Sequence, residues 1–312
     1  MSAASGGLDA ITRRKHPTQW GKFIESPLMF LAEKIYHASI PSLLRAPIDT
    51  PFRLVCISDT HNGQDAVSTL PVGDVLIHAG DLTHSGTPNE LRAALAWLQK
   101  QPHLYKIFIA GNHDAGLADP IFQEEIREMY PDLIYLQESA VTITSLEGRT
   151  FKVYGSPYTP KFGSWLFQYP IIKPLEVPYS TRWSDIPPDT DILITHGPAA
   201  YHLDLKNGCP ALLDTLWTVR PRVHVFGHIH AGRGVETVPW NDPQLRYEKI
   251  LSGLGGWWDL LVLFRWVLTC WFWPCRKQDS VGESKSSTIM VNAASIEKSK
   301  TSERRPAIVI EI

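Results

Sequence analysis

Five apolar runs of this chain end on residues able to bind a metal ion. FRLVCISD (52–59) leads into Asp59 and His61, and DVLIHAGD (74–81) stops at Asp81. KIFIAGNHD (106–114) reaches Asn112, His113 and Asp114, DILITHGP (191–198) turns at His196, and VHVFGHIH (223–230) ends on His228 and His230. All of these candidate ligands are oxygen or nitrogen donors, which suits Mn, Fe, Zn or Mg and excludes a thiolate site. Each has a local explanation on its own: Asp59 capping a turn, Asn112 in a left-handed loop, His196 as a polar strand end. Their coincidence at five strand ends points instead to a metal centre. Alternate side chains of an extended segment share a face, so His228 and His230 are expected to address one object beyond the strand, with Gly227 allowing close approach.

Positioning such residues requires an α/β core, because ligands of open α/β sheets bind at the carboxyl ends of the strands. Helical periodicity fills the gaps between the runs. TPNELRAALAWLQKQPH places Leu91, Ala94, Leu95 and Leu98 on one face after a Thr-Pro start, DPIFQEEIREMY opens with Asp119 as N-cap, and CPALLDTLWTVR starts a third helix at Pro210. AVTITSLEGRTFKVYGSP reads as two strands around Glu147-Gly148, so part of the sheet is antiparallel. Late strands are expected at RYEKILSG, STIMVNAAS and PAIVIEI.

The ordered set Asp59-x-His61, Gly80-Asp81, Gly111-Asn112-His113-Asp114, His196 and Gly227-His228-x-His230 resembles the calcineurin-like metallophosphoesterase superfamily. CISDTHNG, ITHGP and TIMVNAAS are further similar to its metallophosphoesterase-domain (239-type) branch. The resemblance implies a four-layer α/β/β/α sandwich with mixed sheets and two divalent metal ions. One ion would take Asp59, His61, Asp81 and His230, and the other Asp81, Asn112, His196 and His228, with Asp81 as the bridge. Such a pair neutralises phosphoryl oxygens and acidifies a bridging water, whose hydroxide is the nucleophile. His113 would protonate the leaving oxygen, oriented by Asp114. The expected reaction is hydrolysis of phosphoric esters, foremost small or cyclic-nucleotide-like phosphodiesters. Phosphomonoesterase or protein phosphatase activity, or a non-catalytic metal- or nucleotide-binding scaffold, is the alternative. GDLTHSG and GNHD depart from the GDxxDRG and GNHE of protein phosphatases, which disfavours a phosphoprotein substrate. His78, His84 and His224 read as structural or peripheral, His84 being the strongest exception, and Arg233 reads as a surface residue within reach of a phosphate.

The 312 residues carry a net charge of -2, which gives no broad attraction for nucleic acid. The four cysteines form no C-x-x-C pair, and Cys56 reads as a reduced core thiol. No apolar leader precedes the basic residues of the N-terminus, and a cytoplasmic location is expected. Residues 1–50 read as an extension, loosely attached over 1–17 and then helical over 19–38 with a break near Pro27. Residues 51–312 read as the phosphoesterase domain, interrupted at about 253–286 by an apolar and then a polar insertion. Segment 253–275 is dense in tryptophan, but Asp259 and Arg265 argue against a clean membrane span. With 19–38 it is expected to make a peripheral membrane anchor or a hydrophobic partner site.

Overall fold

The computed structural model describes residues 18–39, 51–272, 286–296 and 304–312. The N-terminal 1–17 and most of the polar stretch after 275 lie outside the described residues. The chain forms two compact units, one built on the strands and one on residues 19–39 together with 242–272.

The strand unit begins with four parallel strands, β1 (Arg53–Ile57), β2 (Val75–His78), β3 (Tyr105–Phe108) and β4 (Leu133–Tyr135). A second sheet contains the hairpin β5 (Ser139–Thr144) and β6 (Thr150–Ser156). After the two-residue strands β7 (Thr159–Pro160) and β8 (Gln168–Tyr169) it continues with β9 (Ile192–Thr195), β10 (Val223–Phe226), β11 (Gly234–Pro239) and β12 (Ser287–Asn292). The strand β13 (Ile308–Glu311) closes the first sheet antiparallel to β1. Sheet orders are β13-β1-β2-β3-β4 and β11-β12-β10-β9-β6-β5.

Alternation along the strands generates the layers. Leu54 and Cys56 of β1, Val75 and Ile77 of β2, Ile192 and Ile194 of β9 and Val223 and Val225 of β10 share one buried cluster between the sheets. Val55, Ile57 and Leu76 point the other way, onto two helices whose apolar stripes supply Leu91, Leu95, Phe122 and Ile126. Leu193, Phe226 and Met290 likewise meet Leu212 and Leu216 on the outside of the second sheet. The result is the expected α/β/β/α sandwich.

In the helical unit, α1 (Gln19–Glu25) and α2 (Pro27–Ser39) are separated at Ser26, since Pro27 has no N–H to continue the first helix. The sandwich helices are α3 (Pro88–Gln99), α4 (Pro120–Met129) and α5 (Pro210–Val219), each with proline at its start. Thr87 forms a capping box with Glu90, and the Asp119 carboxylate accepts from the Ile121 N–H at 3.0 Å. The helical unit is completed by α6 (Asp242–Leu251) and α7 (Trp257–Phe272). RYEKILSG is therefore mostly helix, not the expected strand. Tyr247 and Ile250, three apart, face one way, and Tyr247 stacks on Tyr36 at 3.9 Å between ring centroids. That helical spacing outweighs the β-propensity of single residues.

Candidate metal centre

The loops after β1, β2, β3, β9 and β10 meet at one end of the sandwich, and backbone hydrogen bonds lace them together. The Asp59 N–H donates to the Gly80 carbonyl at 2.9 Å, His61 N–H to Asp81 O at 3.1 Å, and Gly227 N–H to His196 O at 3.0 Å. The two sheets are tied by the Asp59 carboxylate, which accepts from the His228 N–H at 3.1 Å. Close approach there demands glycine: a Cβ on Gly227 would lie 2.1 Å from Asp59 Oδ2, and one on Gly111 would lie 2.2 Å from Asp81 Oδ1. Asp59, His61, Asp81 and His228 all have φ between 42° and 62°, a left-handed backbone that costs free energy and concentrates here on side chains able to bind metal.

Two triads result. Asp59, His61 and His230 present ligand atoms to one another within 4.8 Å, and so do Asp81, His196 and His228. His230 Nε2 lies 3.2 Å from Asp59 Oδ1, while His196 Nε2 lies 3.3 Å from Asp81 Oδ2 and 3.1 Å from Asn112 Oδ1. Asp81 also stands between the triads, with Oδ2 3.6 Å from His61 Nε2. His228 and His230 do belong to different triads, but not because the strand stays extended. β10 ends at Phe226, His228 turns left-handed with φ 62°, and His230 starts a short 3₁₀ turn.

Charge balance follows from the same geometry. Burial alone would raise the Asp59 carboxyl, but the hydrogen bond and charge of His230 hold it well below the usual range. For Asp81 burial acts likewise and is outweighed by His196, which brings the group down to about 2. Burial opposes the charged form of His196, yet Asp81 carries it up to about 9. Burial wins at His228, pushed down to about 4, and at His61, also lowered. His61 Nε2 is buried with no hydrogen-bond partner, while Nδ1 lies 3.0 Å from the Thr83 carbonyl. An imidazole fixed as an Nδ1–H donor, with an unsatisfied lone pair facing two carboxylates, fits a metal ion.

His113 sits at the rim. Its ring centroid is 4.7 Å from that of His61, and its Nδ1 lies 2.7 Å from the His84 carbonyl, leaving Nε2 for substrate. The orienting role read for Asp114 is thus filled by the His84 carbonyl. Asp114 is fully buried, accepting from the Gly111, Leu82 and Thr83 N–H groups and the Thr83 hydroxyl. It joins the Asp81 loop to the Asn112 loop, and burial with the nearby Asp81 charge pushes it up to about 6. The His84 ring joins His61 and His113 in a third cluster.

Sequence reasoning missed one support, Trp165, and left two others, His78 and His224, as structural or peripheral without their partners. The Trp165 ring, in the loop between β7 and β8, lies 4.1 Å from that of His113. His78 Nε2 lies 3.0 Å from the Thr60 hydroxyl, and His224 Nε2 lies 2.7 Å from that of Thr195. Both threonines pass their own proton to a backbone carbonyl beside the site, Leu82 and Gly197. Each histidine shows in the sequence only as one polar residue in an apolar run and carries no sign of its threonine; the neighbouring strand had to be known. Arg233 is spent on the carbonyls of Ala293, Ala294 and Pro306.

Residues 52–232 match the Calcineurin-like phosphoesterase family. The human Metallophosphoesterase domain-containing protein 1 is 42% identical over 59% of this chain and 62% of its own length. The UPF0046 protein K07C11.7 of Caenorhabditis elegans is 35% identical over 69% of this chain and 76% of its own. A protein of Emericella nidulans named Probable rhamnogalacturonate lyase C is 42% identical over 98% of this chain but only 29% of its own length. The chain thus spans less than two thirds of the fungal and human relatives, and the activity in the fungal name stays with that whole protein.

Proposed function

Since the chain belongs to the calcineurin-like phosphoesterase family, we propose that it is a dinuclear-metal-dependent phosphoric ester hydrolase acting on small phosphodiesters, cyclic-nucleotide-like ones included. Asp59, His61, Asp81 and His230 hold one divalent ion and Asp81, Asn112, His196 and His228 the other. Bound there, the ions supply neutralisation of the phosphoryl oxygens and activation of water. His113, held through Nδ1 by the His84 carbonyl, donates a proton from Nε2 to the leaving oxygen. Asp114 keeps the loops of Asp81 and Asn112 in register.

The observation that carries the diester reading is the Trp165 ring beside His113, where the leaving group departs. A monoester dianion asks for extra cationic donors beyond the metals; Arg233 has its guanidinium tied to three carbonyls, and Arg305, beside the site, is engaged by the His230 carbonyl at 3.3 Å. A singly charged diester asks for less. Trp165, beside the proton donor, offers a face for an aromatic leaving group such as a nucleobase or aryl ring. Ser85 stands where a protein phosphatase would carry its arginine in the GDxxDRG segment, which also supports a small substrate. The buried free thiols of Cys56 and Cys209 support a reducing, cytoplasmic setting.

Turnover by the manganese-loaded protein of bis-p-nitrophenyl phosphate and a cyclic nucleotide, compared with p-nitrophenyl phosphate and a mononucleotide, is the test. The diesters are expected to lead in kcat/KM. Faster monoester hydrolysis overturns the diester reading, and no turnover with Mn, Zn, Fe or Mg overturns the hydrolase.

A further inference from the structure

Helix α7 is apolar all round, but its partners cover one side only. Leu260, Leu263 and Val267 are buried, the first two in the cluster shared with Ala32, Tyr36 and Ile250. The adjoining stripe, Trp257, Leu261, Phe264 and Leu268, follows the i, i+4, i+7, i+11 spacing of a single helical face. Its exposure falls along the helix, from 62% at Trp257 and 70% at Trp258 through 55% at Leu261 and 45% at Phe264 to 37% at Leu268. A large apolar surface left open on a folded unit marks an interaction site.

Three features of this stripe select its occupant. First, it is a convex ridge with an open tip: a Cβ on Gly253 or Gly256 would meet nothing within 4 Å, and Leu254 between them is exposed. Second, it is poor in hydrogen-bonding groups. The Thr269 hydroxyl donates to the Trp266 carbonyl at 2.7 Å, whereas specific protein interfaces carry about one hydrogen bond per 100–200 Å². Third, its charge has one sign. Asp259, the one acidic residue of α7, is engaged by Arg246 at 2.9 Å and by the Gly256 N–H at 2.9 Å, so the exposed charge on the helix is Arg265.

Tryptophans at the water–hydrocarbon boundary and a long cation beside them match an anionic bilayer surface. Among the described residues no helix is long and apolar enough to cross a membrane, and Arg265 in α7 opposes a place in the hydrocarbon. We infer that the exposed face of α7 is a monotopic membrane-docking surface. It lies in the interface of an anionic phospholipid leaflet with its Trp257–Trp258 end deepest, while Arg265 meets the headgroups. The role usually played by a polar helix face is taken here by the packed helices beneath.

Flotation of the full chain tests this, using vesicles of phosphatidylcholine alone and of phosphatidylcholine mixed with phosphatidylserine. The chain is expected to float with both and more strongly with the mixture. Trp257→Ser with Trp258→Ser is expected to lower partitioning at least ~tenfold. Arg265→Gln is expected to remove the preference for phosphatidylserine, and Leu146→Ser, at the exposed hairpin tip of the sandwich, to change nothing. Hydrolase activity and melting temperature of each variant report on folding. A measurement on the unaltered chain stands beside these: lipids brominated near the headgroup should quench its tryptophan fluorescence more than lipids brominated near the methyl end. A chain that stays with the unbound fraction overturns the inference, as does binding indifferent to the tryptophan pair. So does a dimer that the double variant converts to monomer while vesicles bind neither form, because the stripe is then a contact between copies.

Discussion

The strand-end loops and the helical unit solve opposite problems. At the loops, charged and strained groups are buried at a cost and every partner is specified to a fraction of an ångström. Asp59 and Asp81 are almost wholly buried, both have left-handed backbones as do His61 and His228, and glycines clear the space beside the carboxylates. On α7, apolar side chains remain in water with no partner fixed at all. The buried Nε2 of His61, without a hydrogen-bond partner and facing the carboxylates of Asp59 and Asp81, fits a cationic occupant at the loops. Exposed apolar surface costs less per residue and implies an occupant defined only by its polarity.

The largest effect that can break this contrast is at Asp81. Asp81→Asn is expected to abolish activity by more than ~1,000-fold and to lower bound metal at both sites, because one carboxylate faces both triads. Elemental analysis that shows one full site would remove Asp81 from its bridging place. Next comes His113→Ala, expected to retain both ions and lose about 100- to 10,000-fold in kcat. Loss of metal in that variant would make His113 a ligand.

The helical unit supplies a smaller effect that sharpens the comparison within one element. Leu263→Ala, on the packed face of α7, should cost about 2–5 kcal/mol in urea unfolding, whereas Phe264→Ser on the open face should stay within about 0.5 kcal/mol. Equal costs would mean that Phe264 is packed after all. At the rim, Trp165→Ala is expected to raise KM about tenfold for aryl and nucleoside diesters. A methyl diester should be insensitive, and an equal change in both would reduce Trp165 to a purely structural role.

The smallest effect concerns pH. Burial pushes His78 and His224 down to about 3 from the ordinary 6.5, so both are neutral in the fold. Unfolding lets them take up protons below about 6.5. Stability from this source is therefore complete above that pH and is lost progressively as pH falls toward 3. Melting of the chelator-treated chain should show a decline that begins near pH 6, above the range where Asp59 and Asp81 protonate, and His224→Leu should shallow it. Because Asp114 opposes this slope and His228 and His61 add to it, the variant decides: an unchanged slope in His224→Leu would mean that His224 is not held neutral.

Much of the site was legible in the order of residues, because the chemistry of a paired metal centre restricts residue type and a sheet restricts position. Asp59, His61, Asp81, Asn112, His196, His228 and His230 follow parallel strands, and short continuous apolar runs announce where those strands stop. The capped starts of α3 and α4 were equally local: a threonine or aspartate followed by proline acts through groups within three residues. What the sequence could not supply was anything that depended on a neighbour distant in the chain. Asp114 turned from the His113 ring to the loop of Asp81, 33 positions back in sequence, because three backbone N–H groups converge there. His224 found Thr195 only once β9 and β10 paired, and Tyr247, on the helix formed by RYEKILSG, met the Tyr36 ring only once the helical unit packed. Residue type and local spacing determined the ligands and the strand ends; the partner of each buried polar group, and which face of α7 stayed open, waited on tertiary packing, since burial and pairing are properties of the assembled surfaces and not of any one segment.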